Sequence, residues 1–99
     1  MLFRYYSYKS YQRDANGRCT EEAWFITDGE PALMPEGYNR ITYEYDDAGS
    51  CVRSVWYCND DIVMIEDGYA AAEYEYDARG RRTKEIYLDK HMQWLNTRA

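Results

Sequence analysis

Apolar and polar residues alternate over Ile41-Thr42-Tyr43-Glu44-Tyr45 and again over Ala72-Glu73-Tyr74-Glu75-Tyr76. A period of two is what a half-buried strand requires. Each run ends at an Asp, passes through Asp46-Asp47-Ala48-Gly49 or Asp77-Ala78-Arg79-Gly80, and resumes in residues that favour strands, as far as Trp56-Tyr57 or Tyr87-Leu88. A weaker copy opens the chain as Tyr11-Gln12-Arg13-Asp14-Ala15-Asn16-Gly17 and runs to Trp24-Phe25. The three Asp positions lie 32 and 31 residues apart, the mark of a repeat architecture. The expected fold is all-β: three tandem antiparallel β-hairpin repeats of about 31–32 residues, forming a twisted sheet or short open solenoid. One repeat domain covers 1–99, with repeats 5–36, 37–67 and 68–99.

The step from Asp to Gly suits a type I turn followed by a left-handed glycine. Asp14, Asp46 and Asp77 can accept hydrogen bonds from the turn backbone, and Gly17, Gly49 and Gly80 can supply the positive φ. Counting outward from the turn sets Tyr45 opposite Cys51, Tyr43 opposite Arg53 and Ile41 opposite Val55. Glu44, Thr42 and Arg40 then face Val52, Ser54 and Trp56 on the other side. In the third copy the same count sets Glu73 opposite Glu85, a like-charged pair. One face is thereby apolar with tyrosine stems and the other polar. Trp24, Trp56 and Tyr87 fall on the polar face.

About a dozen residues separate one hairpin from the next. Asp28-Gly29 and Pro35-Glu36-Gly37 are turn signals there. Leu33-Met34 and Val63-Met64 form short apolar stitches expected to fold back over the hairpins. The last stretch, Asp89-Lys90-His91-Met92-Gln93-Trp94-Leu95, does not match its siblings, as suits a terminal repeat.

Composition narrows the function. With 12 tyrosines among 99 residues, burial leans on amphipathic rings, so the core is small. A net charge of −6 disfavours nucleic acid, whose phosphates demand clustered Lys and Arg. No apolar run reaches membrane-spanning length, so no membrane insertion is expected. The start, Met1-Leu2-Phe3-Arg4-Tyr5-Tyr6, lacks the apolar stretch of a signal peptide. The odd number of cysteines, Cys19, Cys51 and Cys58, argues against a disulfide scaffold.

The run Tyr-Asp-x-x-Gly, present as Tyr45-Asp46-Asp47-Ala48-Gly49 and Tyr76-Asp77-Ala78-Arg79-Gly80, resembles the YD repeat of the Rhs family. Arg13-Asp14-Ala15-Asn16-Gly17 matches apart from its tyrosine. The resemblance implies β-sheet shells or stalks in bacterial surface or secreted proteins, and hence an extracellular or cell-surface location. It carries no catalytic residue. The period here is longer than the roughly twenty residues usual in that family, and the chain contains no toxin or shell-closing segment. Trp24-Phe25, Gly37-Tyr38, Trp56-Tyr57 and Gly68-Tyr69 also resemble the aromatic-glycine repeats of bacterial cell-wall-binding modules.

The chemistry expected is binding rather than catalysis. His91 is the only histidine, with no partner at ligand spacing, so neither a metal nor a cofactor is expected. Glu44 and Glu75 recur with the repeat, which favours a structural cause over a catalytic carboxylate pair. Trp24, Trp56 and Tyr87 share one repeat position. With Arg40, Glu44 and Glu75 beside them on the polar face they are the candidate ligand residues, in the manner of a sugar-stacking row. The competing reading seats the Leu33-Met34 and Val63-Met64 stitches on those rings. The function expected is a non-catalytic module contacting glycan or protein, the alternative a scaffold repeat with no ligand of its own. Open sheet edges make a homodimer possible.

Overall fold

The structure is a computed structural model and describes residues 6–27, 29–32 and 37–95. The expectations placed on Met1–Tyr5, Asp28, Leu33-Met34 and Pro35-Glu36 lie outside the described residues.

The chain forms one open antiparallel sheet and contains no helix among the described residues. Its strands are β1 (Tyr8–Arg13), β2 (Cys19–Thr27), β3 (Glu30–Pro31), β4 (Arg40–Tyr45), β5 (Cys51–Cys58), β6 (Asp61–Ile62), β7 (Ala71–Tyr76) and β8 (Arg82–Leu88). The main path runs β1-β2-β4-β5-β7-β8, with β3 on β2 and β6 on β5. The three hairpins therefore lie side by side in chain order. A radius of gyration of 15.0 Å exceeds the roughly 13 Å of a compact chain this long, because the sheet is not closed on itself.

The turns are built alike. Asp46 Oδ1 accepts from the amides of Ala48 and Ser50 at 3.0 and 2.9 Å, while the Gly49 amide donates to the Asp46 carbonyl at 3.0 Å. Asp14 and Asp77 repeat this arrangement. Gly49 has φ +91°, a conformation in which a Cβ would be strained.

The register differs from the plain count. Tyr45 does face Cys51, but Glu44 faces Arg53, Tyr43 faces Ser54, Ile41 faces Trp56 and Arg40 faces Tyr57. Val52 is an extra residue on the returning strand. Thr20 and Thr83 are extra in the same way in the other hairpins. Each is a β-bulge one residue beyond the turn, and one inserted residue turns every later side chain to the opposite face. The Thr20 and Thr83 hydroxyls donate to the carbonyls of Gln12 and Glu75, across the irregularity. The expected facing of Glu73 and Glu85 is corrected: Glu73 sits opposite Ile86 within its hairpin and opposite Arg53 on β5.

The slip also corrects the expectation of one apolar and one polar face. Trp24, Ile41, Tyr43 and Trp56 share a face, covered by Ala32 and Tyr38. Val55, Ala71, Ile86 and Leu88 form a second cluster on the opposite face, with Tyr57, Ile62 and Met92. Each side of this single sheet thus has its own small core. Ala71 and Ala72 are wholly buried, where the small side chain lets β7 be covered on both faces.

After its second strand each hairpin folds back on itself. Asn59 and Asp60 form a two-residue turn between Cys58 and Asp61, with Asn59 at φ +56°, and β6 returns along β5. The Val63 amide then donates to the Trp56 carbonyl at 3.1 Å, as Ala32 does to Trp24 at 2.9 Å. The tail does the same through different chemistry. Asp89 caps a turn by accepting from the amides of His91 and Gln93, Met92 takes the left-handed position at φ +64°, and Leu95 donates to the Tyr87 carbonyl at 2.9 Å.

Candidate functional site

The residues at the repeat position of Trp24 lie on the face opposite the one expected of them. Trp24 is only 8% exposed, and Tyr38 packs edge-on against its ring at 5.7 Å. Trp56 is half-buried and receives Tyr69 at 5.5 Å and 77°. Tyr69 lies 4.6 Å from Tyr87, whose hydroxyl donates to Glu85. Each ring is thus occupied by the leading tyrosine of a hairpin, and the row is the packing seam between repeats. The bulge is the physical reason: it turns Trp56 to the side of Ile41 and Tyr43.

Polar contacts reinforce the seams. The Tyr43 hydroxyl donates to Glu22 at 2.7 Å; burial first, and then that bond, raise its pKa above the usual tyrosine value. Tyr45 and Tyr76 each donate from the hydroxyl to a carbonyl on the preceding hairpin, Cys19 and Cys51, at 2.6 Å. The bond from Tyr87 to Glu85 pushes the tyrosine up to about 12 and holds Glu85 below the usual carboxylate value.

Arg40, Glu44 and Glu75 stand on the other face. Arg40 lies over the Tyr57 ring at 4.1 Å, pairs with Glu21 at 3.2 Å and donates to the Asn59 carbonyl. Glu44 pairs with Arg53 at 3.7 Å, and Arg53 also holds Glu73 at 2.6 Å, so an ion ladder crosses three strands. Glu75 pairs with Lys84 at 3.7 Å. Glu44 and Glu75 keep more than half of their side-chain surface exposed, so such pairs are individually weak. The aromatic and charged candidates are therefore separated by the thickness of the sheet. They do not converge on one site.

Two features escaped the sequence reading. Asn39, buried, donates from Nδ2 to the Ala32 carbonyl and to Asn59 Oδ1, and its Oδ1 accepts from the Asn59 amide at 2.9 Å. It ties two returning segments together through partners 7 and 20 residues away in the chain. Trp94 is 69% exposed, and its backbone bridges Leu88 at the outer edge of β8. Tyr87, Glu85 and Lys84 line the same shallow depression.

Cys19, Cys51 and Cys58 are free thiols. Among the described residues, no group of three or more His, Cys, Asp and Glu side chains is placed to hold a metal ion. No helix among them is long and apolar enough to cross a membrane. Compared with protein-family models, curated proteins and solved structures, the chain matches none.

Proposed function

We propose that this chain is a non-catalytic stacking module of a bacterial surface or secreted protein. It acts by extending a sheet and presenting its ionic face and outer strands to protein partners. The observation that carries this reading is the seam itself. The rings best suited to grip a ligand, Trp24 and Trp56, are spent on Tyr38 and Tyr69. The tyrosine of each Tyr-Asp-x-x-Gly motif likewise reaches back to the hairpin before it. Side chains committed to joining repeats are the economy of a solenoid, whose stability is a sum over neighbour interfaces.

A second reading, glycan contact, draws on Trp94. Its exposed indole beside Tyr87 and Glu85 offers a stacking plane with a carboxylate nearby. A glycan array probed with wild type, Trp94→Ala and Trp56→Ala separates the two. The stacking-module reading expects no specific glycan signal. A specific signal lost on Trp94→Ala and kept by a folded Trp56→Ala would replace it with the glycan reading.

A further inference from the structure

The outer edges of β1 and β8 carry the two halves of a junction that the chain completes twice internally. In the first, Glu21, Glu22 and Ala23 of β2 pair with Thr42, Ile41 and Arg40 of β4. In the second, Arg53, Ser54 and Val55 of β5 pair with Glu73, Ala72 and Ala71 of β7. By repeat position, Lys84, Glu85 and Ile86 stand where those β2 and β5 residues stand. Tyr8, Lys9 and Ser10 stand where 40–42 and 71–73 stand. Among the described residues no strand pairs with either outer edge. The far end of β8 is closed by Leu95 on the Tyr87 carbonyl, as Ala32 and Val63 close β2 and β5. The open stretch of β8 therefore has the width and the boundary of the two filled ones.

We propose that a second copy of this chain fills it, β1 of one copy docking head to tail on β8 of the next. The internal junctions dictate the register: Tyr8 opposite Ile86, Lys9 opposite Glu85 and Ser10 opposite Lys84. Lys9 and Glu85 bring opposite charges to the centre of the seam. Tyr11 holds the repeat position of Tyr43 and Glu85 that of Glu22, so the 2.7 Å bond between Tyr43 and Glu22 recurs between copies. Tyr11, 48% exposed in the single chain, is covered by this junction. Tyr6 takes over Tyr87 the place that Tyr38 has over Trp24. Pairing two β1 or two β8 edges about the same window would instead set Lys9 near Lys9, or Glu85 near Glu85. The proposal rests on the reading of the chain as a stacking module and adds the partner. Because the contact is heterologous, each addition leaves the same two edges open and association does not stop at a dimer. A seam this narrow belongs with weak interfaces.

Sedimentation velocity from about 10 μM to about 1 mM tests it, a range suited to weak association. Wild type should sediment faster as concentration rises. Lys9→Glu and Glu85→Lys should each weaken self-association roughly tenfold or more, since each sets like charges opposite one another. An equimolar mixture of the two should regain it: the reversed β1 then meets the reversed β8, and the two unreversed edges meet each other. The double variant should regain it alone. Lys9 also touches Glu22 and Trp24, so circular dichroism must show the variants folded. Amide NMR of wild type on dilution needs no variant and should show shifts concentrated at 6–11 and 84–87. A monomer throughout the range, charge reversals without effect, or no recovery on mixing would overturn the proposal. That result would leave the stacking-module reading to be decided by the glycan array.

Discussion

The Tyr45 hydroxyl lies 2.6 Å from the Cys19 carbonyl oxygen, and one repeat later the Tyr76 hydroxyl lies at the same distance from the Cys51 carbonyl. Both bonds cross from one hairpin to the one before it, so the motif tyrosine is a joint between repeats as much as a filler. Tyr45→Phe keeps the ring and removes the joint. The expected loss is about 1 kcal/mol, the usual net worth of a partly buried hydrogen bond. For a domain of this size that is a drop of roughly 4–8 °C in melting temperature. Thermal denaturation of Tyr45→Phe and Tyr76→Phe should show similar losses, because both remove a 2.6 Å bond to the preceding hairpin, with Tyr76 also giving up a longer bond from Arg82 at 3.4 Å. Unchanged melting in both would remove the joint from the account.

Asn39 predicts a sharper effect. Its amide satisfies a carbonyl, a side-chain oxygen and a backbone amide in a buried position between two repeats. Asn39→Asp preserves shape but exchanges the donating nitrogen for an oxygen, which then faces the oxygens of Ala32 and Asn59. Destabilisation of about 1–3 kcal/mol is expected in urea denaturation at neutral pH, from unsatisfied buried groups. The deficit should shrink in mild acid, as the new carboxyl takes up a proton and can donate again. A variant as stable as wild type at neutral pH would mean that the amide bonds contribute little.

Part of this was legible in the sequence because it is local. Asp46 and Gly49 bring the chemistry of their turn within four residues, and alternation along Tyr43-Glu44-Tyr45 marks a strand without reference to its partner. What the alternation could not supply was the face on which the returning strand lies, since Val52 looks like any other strand residue and yet is inserted. The error propagated: one residue of slip carried Trp56 to the wrong side and joined it to Arg40 and Glu44 in a row that does not exist. The likeness of the tail to the other copies is hidden for a different reason. Met92 stands in the left-handed position where glycine is usual, so the Asp89 turn did not resemble its siblings. Asn39 depends on residues 7 and 20 positions away, and no short-range pattern announces such a contact.

The bulges themselves offer a test. Thr20 and Thr83 use their hydroxyls to bridge the strand opposite, at 3.2 and 3.3 Å, whereas the second hairpin has Val52 in that place. Val52→Thr should install the missing bond to the Glu44 carbonyl and stabilise the chain by about 0.5 kcal/mol, the low end for an exposed bond. Thr83→Val should cost a similar amount. Chemical denaturation of both variants would reveal the opposite signs. Destabilisation by Val52→Thr would show that the valine methyls matter more than the bridge.

The aspartate caps fix the response to acid. Asp77 is held below the usual carboxylate value first by the Arg81 amide and then by the Arg79 amide and the Arg81 side chain. Asp14 and Asp89 are lowered in the same way, first by the amides of Arg18 and Gln93. A carboxylate whose pKa is depressed on folding contributes stability that is full above its unfolded pKa and is lost as pH falls through the folded one. The chain should therefore hold a plateau near neutrality and lose stability as pH drops below about 4, the ordinary range of a free aspartate. Asp77→Asn keeps an acceptor for the turn amides but cannot titrate. It should be less stable than wild type on the plateau, because it gives up the charged acceptor and the pairing with Arg81 at 2.9 Å. Its stability should then fall less steeply into acid, so that the two curves converge. Melting temperatures of both proteins from pH 7 to about pH 2.5 measure the difference. Parallel curves would mean that the proton responsible for acid unfolding binds elsewhere, with Glu85 the next group to replace, since Tyr87 and Arg82 hold it low as well.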